Sequence, residues 1–308
     1  MKKKVLVTVS LLLMLTLIMG GLSGCVPAVK NTQNKTSEIT VVDLNGEEIT
    51  LDSIPNRIVS LSPSNTEILF AIGAGSKVVG ITSYCNYPIE TSKIEKVGDF
   101  NGPNLELIKK ANPEVVLIGG MIQEELANAL KNDGIKVINT EATDFASIYK
   151  SIQLIGDITG KGTDAKSIIE GMESRIASIK SKTKNLKKVN VFYVVWTDPL
   201  MTAGSGTFID EVIKAAGGKN VASKAIGWAQ YSVEQLIKDN PTMLVAASHS
   251  TNEGMKKNDF EKSEIFSKLN AVKKGKIYVV KNDDIMSRPG PRIVDAIKEL
   301  AKEFHGIK

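Results

Sequence analysis

The sequence predicts an α/β protein made of two similar lobes joined by one long helix, and three observations carry that prediction. A block at residues 104–120, NLELIKKANPEVVLIGG, returns at 232–248 as SVEQLIKDNPTMLVAAS, matching Glu106 with Glu234 and Pro113 with Pro241. Short β-branched apolar runs alternate with helical 3/4 spacings in both halves, the grammar of a parallel sheet covered by helices. Between the halves, Ala165, Ile168, Ile169, Met172, Ile176 and Ile179 hold a helical period too long for a connection inside one lobe.

At the front, Lys2, Lys3 and Lys4 precede an apolar stretch at 5–19 and a small-residue segment, so residues 1–24 read as an export signal. The stretch is shorter than the roughly 20 residues a spanning helix needs. Leu22-Ser23-Gly24-Cys25 is similar to the lipobox of bacterial lipoproteins, which implies a lipidated Cys25 and a chain held on the extracytoplasmic face of the membrane without crossing it. Ordinary signal cleavage is the alternative. Because a single acyl chain binds membranes only marginally, several chains on Cys25 would make the attachment stable. Residues 25–38, polar and without apolar period, read as a flexible tether.

The N-terminal lobe is placed at 39–160. Residues 39–51 form a hairpin about Asn45-Gly46, the preferred pair for a two-residue type I′ turn. A strand at 57–61 leads through Pro63-Ser64-Asn65 to a helix that Thr66 can cap and Gly73 ends. A strand at 78–81 follows. Asn104 opens a helix stopped by Asn112-Pro113, and the unbroken apolar run 115–118 suits a strand buried on both faces. A helix at 123–133 and a strand at 136–139 complete the unit. Phe145, Ile148, Ile152 and Ile155 then carry a helix to Gly160. The connecting helix, 161–184, would reach roughly 33 Å at 1.5 Å per residue and act as a strut. The C-terminal lobe, 185–308, repeats the plan: strand 189–195, helix 207–216, the second Asn-Pro block and strand 243–247. Two Rossmann-like lobes result, and a ligand belongs in the cleft between them, beyond the carboxyl ends of the strands.

Length suits two domains. Of the formal +5 charge three units belong to the signal lysines, which leaves no nucleic-acid footprint. Cys85 has only Cys25 for company, so no internal disulfide is expected, and a lone thiol is typically a small buried hydrophobe. His249 and His305 are the only histidines, too few for a His-rich metal site. No Gly-x-Ser-x-Gly elbow occurs, and residues 156–161 fail the phosphate-loop spacing. Asp283 and Asp284, adjacent before a turn, read as solvated rather than as an acid–base pair. A monomeric binding module without cofactor or metal is expected, not an enzyme.

Aromatic residues make up 5% of the chain, yet they gather at strand ends. Tyr84 and Tyr87 follow strand 78–81, Phe100 precedes the first repeated helix, Trp196 ends strand 189–195, and Trp228 and Tyr231 precede the second repeated helix. Flat rings on facing lobes suit a broad, mostly apolar ligand; packing at the lobe edges is the alternative for any one of them. The only arginines are Arg57, Arg175, Arg288 and Arg292, few for an anionic ferric catecholate, so a neutral or weakly charged macrocycle fits better.

RIVSLSPSNTEILFAIGAGSKVVGITSYCNYP (57–88), GDFNGPNLELI (98–108), GWAQYSVEQLI (227–237) and SRPGPRIVDAI (287–297) resemble the helical-backbone substrate-binding proteins of ABC importers. Within these the vitamin B12-binding and iron-siderophore-binding groups are nearest. The resemblance covers nearly all of residues 39–308. It implies a corrinoid ligand, with a ferric hydroxamate siderophore or haem as the alternatives. Tyr84, Phe100 and Trp228 would be ring contacts, and Asp284 and Arg288 a polar patch. The implied partners are a permease dimer with its ATPase, met through Glu106 and Glu234. The helix dipole also favours a Glu in a first turn, by about 0.3–1 kcal/mol, and Ser232 with Gln235 fits a capping box; a placement duplicated in both lobes favours docking. One departure stands out. Where the family carries a further Trp after strand 115–118, this chain has Gly119, and Trp196 is the candidate to replace that ring.

Overall fold

The computed structural model describes residues 38–99, 102–119, 124–248 and 256–307. The signal segment, nearly all of the tether, Cys25, Phe100 and His249 lie outside the described residues. Strands β1 (Ile39–Val42) and β2 (Glu48–Leu51) pair antiparallel, with Val42 opposite Glu48. The connection is therefore the loop 43–47 rather than a two-residue turn. Asp43 closes that loop. Its Oδ1 accepts the N–H groups of Asn45 and Glu47, each at 2.9 Å, while Oδ2 accepts the N–H of Asn139 at 3.1 Å. A buried carboxylate thus fixes the hairpin and ties it to the sheet behind it.

The first lobe is built on β3 (Ile58–Ser60), β4 (Val78–Thr82), β5 (Lys96–Asp99), β6 (Gly102–Pro103), β7 (Val115–Ile118) and β8 (Lys136–Asn139). Their order is β6-β5-β4-β3-β7-β8, all parallel except β6. Helices α1 (Pro63–Ala71), α2 (Leu105–Lys110) and α3 (Glu124–Asn132) cover the sheet. α1 starts before the expected cap at Thr66. Pro63 presets the helical φ at the first position, Ser62 takes the cap site, and the Thr66 hydroxyl bonds back to the Ser62 carbonyl at 3.1 Å. Gly73, at φ +76°, ends the helix as expected.

Next come α4 (Phe145–Thr159) and the long α5 (Gly162–Thr183), 22 residues in length. α5 is not a free strut, because it packs along α4 on one side and against the final helix of the chain on the other. At Gly156 a Cβ would stand 2.5 Å from the Cβ of Ala165, so only glycine permits this approach of α4 to α5.

The second lobe contains β9 (Val189–Val194), β10 (Trp196–Thr197), β11 (Leu200–Ala203), α6 (Phe208–Ala215), β12 (Gly218–Asn220), β13 (Trp228–Gln230), α7 (Val233–Asp239) and β14 (Met243–Ala246). After these come α8 (Lys257–Lys262), α9 (Asn270–Lys273), β15 (Ile277–Val279), α10 (Asp283–Ser287) and α11 (Ile293–His305). A parallel sheet runs β12-β9-β14-β15, and β10-β11-β13 form a small antiparallel sheet beside it. The repeated Asn-Pro block has a geometric cause. Asn112 at φ 45° and Asn240 at φ 43° are the described non-glycine residues in the left-handed region, each just past its helix, and the following Pro cannot continue that helix.

Successive strand residues face opposite layers. Val115 and Leu117 join the layer under α1 and α4, while Val116 and Ile118 join the layer under α2 and α3. Val191 and Tyr193 likewise face the first layer, and Phe192 and Val194 face a separate core with Phe260 and Phe266. The first layer continues through α4, α5, α6 and α11 from one sheet to the other, so both lobes share one apolar core at the back.

Candidate functional site

In the first sheet the chain leaves β3, adds β4 and β5 on one side, then crosses to add β7 and β8 on the other. The loops after β3 and β7 therefore diverge, and the gap they leave is where open α/β sheets bind ligands. A cleft of about 710 Å³ opens there. Its floor is Ser62 at the cap of α1 and Asn65 in its first turn, Gly119 after β7 and Thr140 after β8. The second lobe closes it with Phe208, Trp228 and the α10 segment carrying Asp283, Asp284 and Arg288.

Two rings face each other's lobes across this space. Tyr84, after β4, is 49% exposed, and Trp228, on β13, is 50% exposed. Trp228 is held edge-on against Phe208, with ring centroids 5.7 Å apart. Large rings left this open on a concave surface are unfinished contacts.

Behind the Arg288 and Asp284 that line the cleft, an ion cluster crosses between lobes. Glu67, on α1, is buried and accepts from Arg288 at 2.9 Å and from Arg292 at 2.7 and 2.5 Å. Arg288 also donates to the Asn86 side chain at 2.8 Å and the Tyr84 carbonyl at 3.2 Å, and pairs with Asp284 at 2.6 Å. Its guanidinium is thus committed to protein partners, and it positions the Tyr84 loop from the other lobe. Arg292 lies 3.9 Å above the Tyr87 ring. Burial opposes charge on Arg292, but hydrogen bonding to Glu67 and its negative charge outweigh this and raise the pKa above its ordinary value.

The described charged residues lining the cleft are Asp99, Glu141, Asp283, Asp284 and the paired Arg288. Asp283 holds the Ser248 amide at 2.8 Å and the Ser248 hydroxyl. Carboxylates thus outnumber cations among the described lining residues, a composition that disfavours polyanionic ligands.

Tyr84, Trp228, Asp284 and Arg288 therefore meet at one cleft, whereas two expected members do not. Trp196 stands on β10, at the far edge of the antiparallel sheet from Trp228, and its indole N–H bonds the Asp198 carbonyl at 2.8 Å. It does not replace a ring at Gly119. Tyr231 packs on Phe192 in the second lobe's own core, 5.1 Å between centroids, and its hydroxyl donates to Asp239 at 2.5 Å. Burial, reinforced by Asp239, raises the pKa of that hydroxyl. Cys85 is buried, 3.3 Å from the Thr82 hydroxyl. Among the described residues no cluster of His, Cys, Asp and Glu could hold a metal. Phe208 and Glu67 went unnoticed in the sequence because both read as ordinary helix residues.

Glu106 and Glu234 occupy the first turns of α2 and α7, exposed and without an ion pair among the described residues. Asn104 and Ser232 cap these helices by accepting from Leu107 at 3.0 Å and Gln235 at 3.3 Å. The reciprocal half of the expected capping box is absent, since the Gln235 side chain bonds Asp239 instead.

The sequence pattern of the periplasmic binding protein family matches residues 58–283. The chain belongs to that family. It is 35% identical over 319 residues to an uncharacterized ABC transporter substrate-binding lipoprotein, YvrC, of Bacillus subtilis strain 168, covering 99% of this chain and 98% of the relative. Against the vitamin B12-binding protein of Salmonella paratyphi A the identity is 31% over 255 residues, covering 82% and 91%. A crystal structure of a possible iron-binding (periplasmic solute-binding) protein from Staphylococcus epidermidis superposes with a TM-score of 0.69 at 33% identity, covering 82% of this chain and 99% of that one. This binding protein is accordingly the substrate-binding component of an ABC transporter, working with a permease and an ATPase, and is not an enzyme. No described helix is long and apolar enough to cross a membrane.

Proposed function

We propose that this binding protein captures a corrinoid between its lobes and hands it to its permease, held on the extracytoplasmic face of the membrane by a lipid on Cys25. The observation that carries the reading is the pair of half-exposed rings, Tyr84 and Trp228, offered by opposite lobes to a cleft whose charged lining is mainly acidic. Such a surface suits a broad ligand with apolar faces and no excess negative charge. Haem, with two carboxylates, meets the acidic lining unfavourably. A neutral or cationic ferric hydroxamate meets the same charge condition and is the second reading.

The test titrates the purified mature chain with cyanocobalamin, a ferric hydroxamate and haem, following tryptophan fluorescence. Cyanocobalamin should bind tightest. Trp228→Ala should weaken it at least about tenfold, the loss of a buried aromatic anchor, and should remove most of the fluorescence change. Trp196→Phe should leave affinity and signal nearly intact. Unchanged affinity in Trp228→Ala would rule out this cleft, and tighter hydroxamate binding would favour the second reading.

A further inference from the structure

We propose that the floor of the cleft, at Asn65, Thr140 and Gly119, is a subsite for a primary carboxamide substituent of the ligand. The inference rests on the cleft being the ligand site and refines the corrinoid reading, because corrinoids carry carboxamide side chains around the ring. Asn65 lies at the start of α1 and is 1% exposed. One atom of its amide meets the Thr140 hydroxyl at 2.6 Å. The other, assigned as Nδ2, is the buried side-chain polar atom among the described residues that has no partner. A side-chain amide is built to donate on one edge and accept on the other, so half of this group's capacity is unused at the point where the first sheet's chain order reverses.

Gly119 borders this edge. A Cβ there would stand 3.6 Å from the Asn65 nitrogen and 3.5 Å from the Thr140 oxygen, in contact with both. The Thr140 hydroxyl lies 2.7 Å from the Ile118 carbonyl as well as 2.6 Å from Asn65, and it has one proton for both. Whichever acceptor takes that proton, the free edge of Asn65 is either an N–H or a C=O. A primary carboxamide carries both functions and complements either state. A carboxylate or an ester complements only the first.

Two measurements test this on the mature chain. In the first, the Asn65 side-chain amide signals are followed by NMR during addition of acetamide or methyl acetate. Acetamide should shift them in a saturable way and methyl acetate more weakly, because an ester carbonyl can accept from the amide edge but has no N–H to donate, and Gly119→Val, which covers the amide, should abolish the shift. An unshifted Asn65 signal, or a shift retained in Gly119→Val, overturns the subsite whatever the corrinoid does. In the second, cyanocobalamin is compared with heptamethyl cobyrinate, whose side chains are esters. The parent should prefer the amide ligand at least tenfold, and Asn65→Ala and Gly119→Val should reduce that preference to about twofold. A preference unchanged in both variants overturns the proposal. An acetamide shift with no binding of either corrinoid would leave the subsite standing and sink the corrinoid reading alone.

Discussion

Glu67 balances two arginines behind the cleft lining, and its own side chain is only 3% exposed. Removing one member of a buried ion cluster leaves its partners desolvated and unpaired, which costs about 3–5 kcal/mol. Glu67→Ala should therefore lower stability by that amount in urea denaturation, and Glu67→Gln by less, because an amide oxygen still accepts. A loss under about 1 kcal/mol would mean that water replaces the carboxylate there. The sequence hid this residue because its partners lie 221 and 225 positions away. Tyr84 and Trp228 were visible as rings at strand ends. The same signal misplaced Trp196 and Tyr231, since nothing local says whether a ring at a strand end turns into a cleft or into its own lobe's core.

Helix ends are closed by local contacts, and α4 shows how. Asp144 accepts from the Ser147 amide at 2.7 Å, and the Ser147 hydroxyl accepts from the Asp144 amide at 3.0 Å, a reciprocal cap formed within four residues. The side-chain and backbone hydrogen bonds from Ser147 hold the Asp144 pKa below its ordinary 3.8. A depressed carboxylate contributes stability that is fully present above the unfolded value and lost as pH falls through the folded one. Asp144→Ala should thus cost about 0.5–2 kcal/mol near neutral pH, and the gap to the parent should narrow once the pH drops below 3.8. A gap independent of pH would show that the carboxylate charge plays no part in the cap. Where an element is instead closed by distant groups, local reading failed: Asp43 reaches Asn139 across the sheet and replaces the turn expected from Asn45-Gly46.

At the scale of the molecule, the lobes are joined twice, by the continuous apolar layer through α4, α5, α6 and α11 and by the Glu67 cluster at the cleft. Both joints oppose wide opening, an arrangement that favours binding by a preorganised wall over binding by closure. Each lobe also presents the acidic first turn of a repeated helix to solvent. Lys109, one turn after Glu106, is engaged by Asp133 at 2.8 Å, which leaves Glu106 available to a partner. If these turns dock the permease, the double variant Glu106→Ala/Glu234→Ala should lose transport, measured as ligand uptake by cells, while the purified protein keeps its ligand affinity. Full uptake by the double variant would reduce both residues to helix-dipole partners.

The sequence by itself determined the two-lobed α/β plan, the long connecting helix and the duplicated Asn-Pro turns, while the short strands such as β5, β10 and β13 went unread. Apolar period, capping and left-handed turns act over a few residues and leave their mark locally. Only the tertiary structure decided which rings share the cleft, which charges are spent on each other, and that an unpartnered amide lies beside Gly119. Those outcomes depend on how side chains from separate strands and lobes meet, and that packing is set by the whole chain at once.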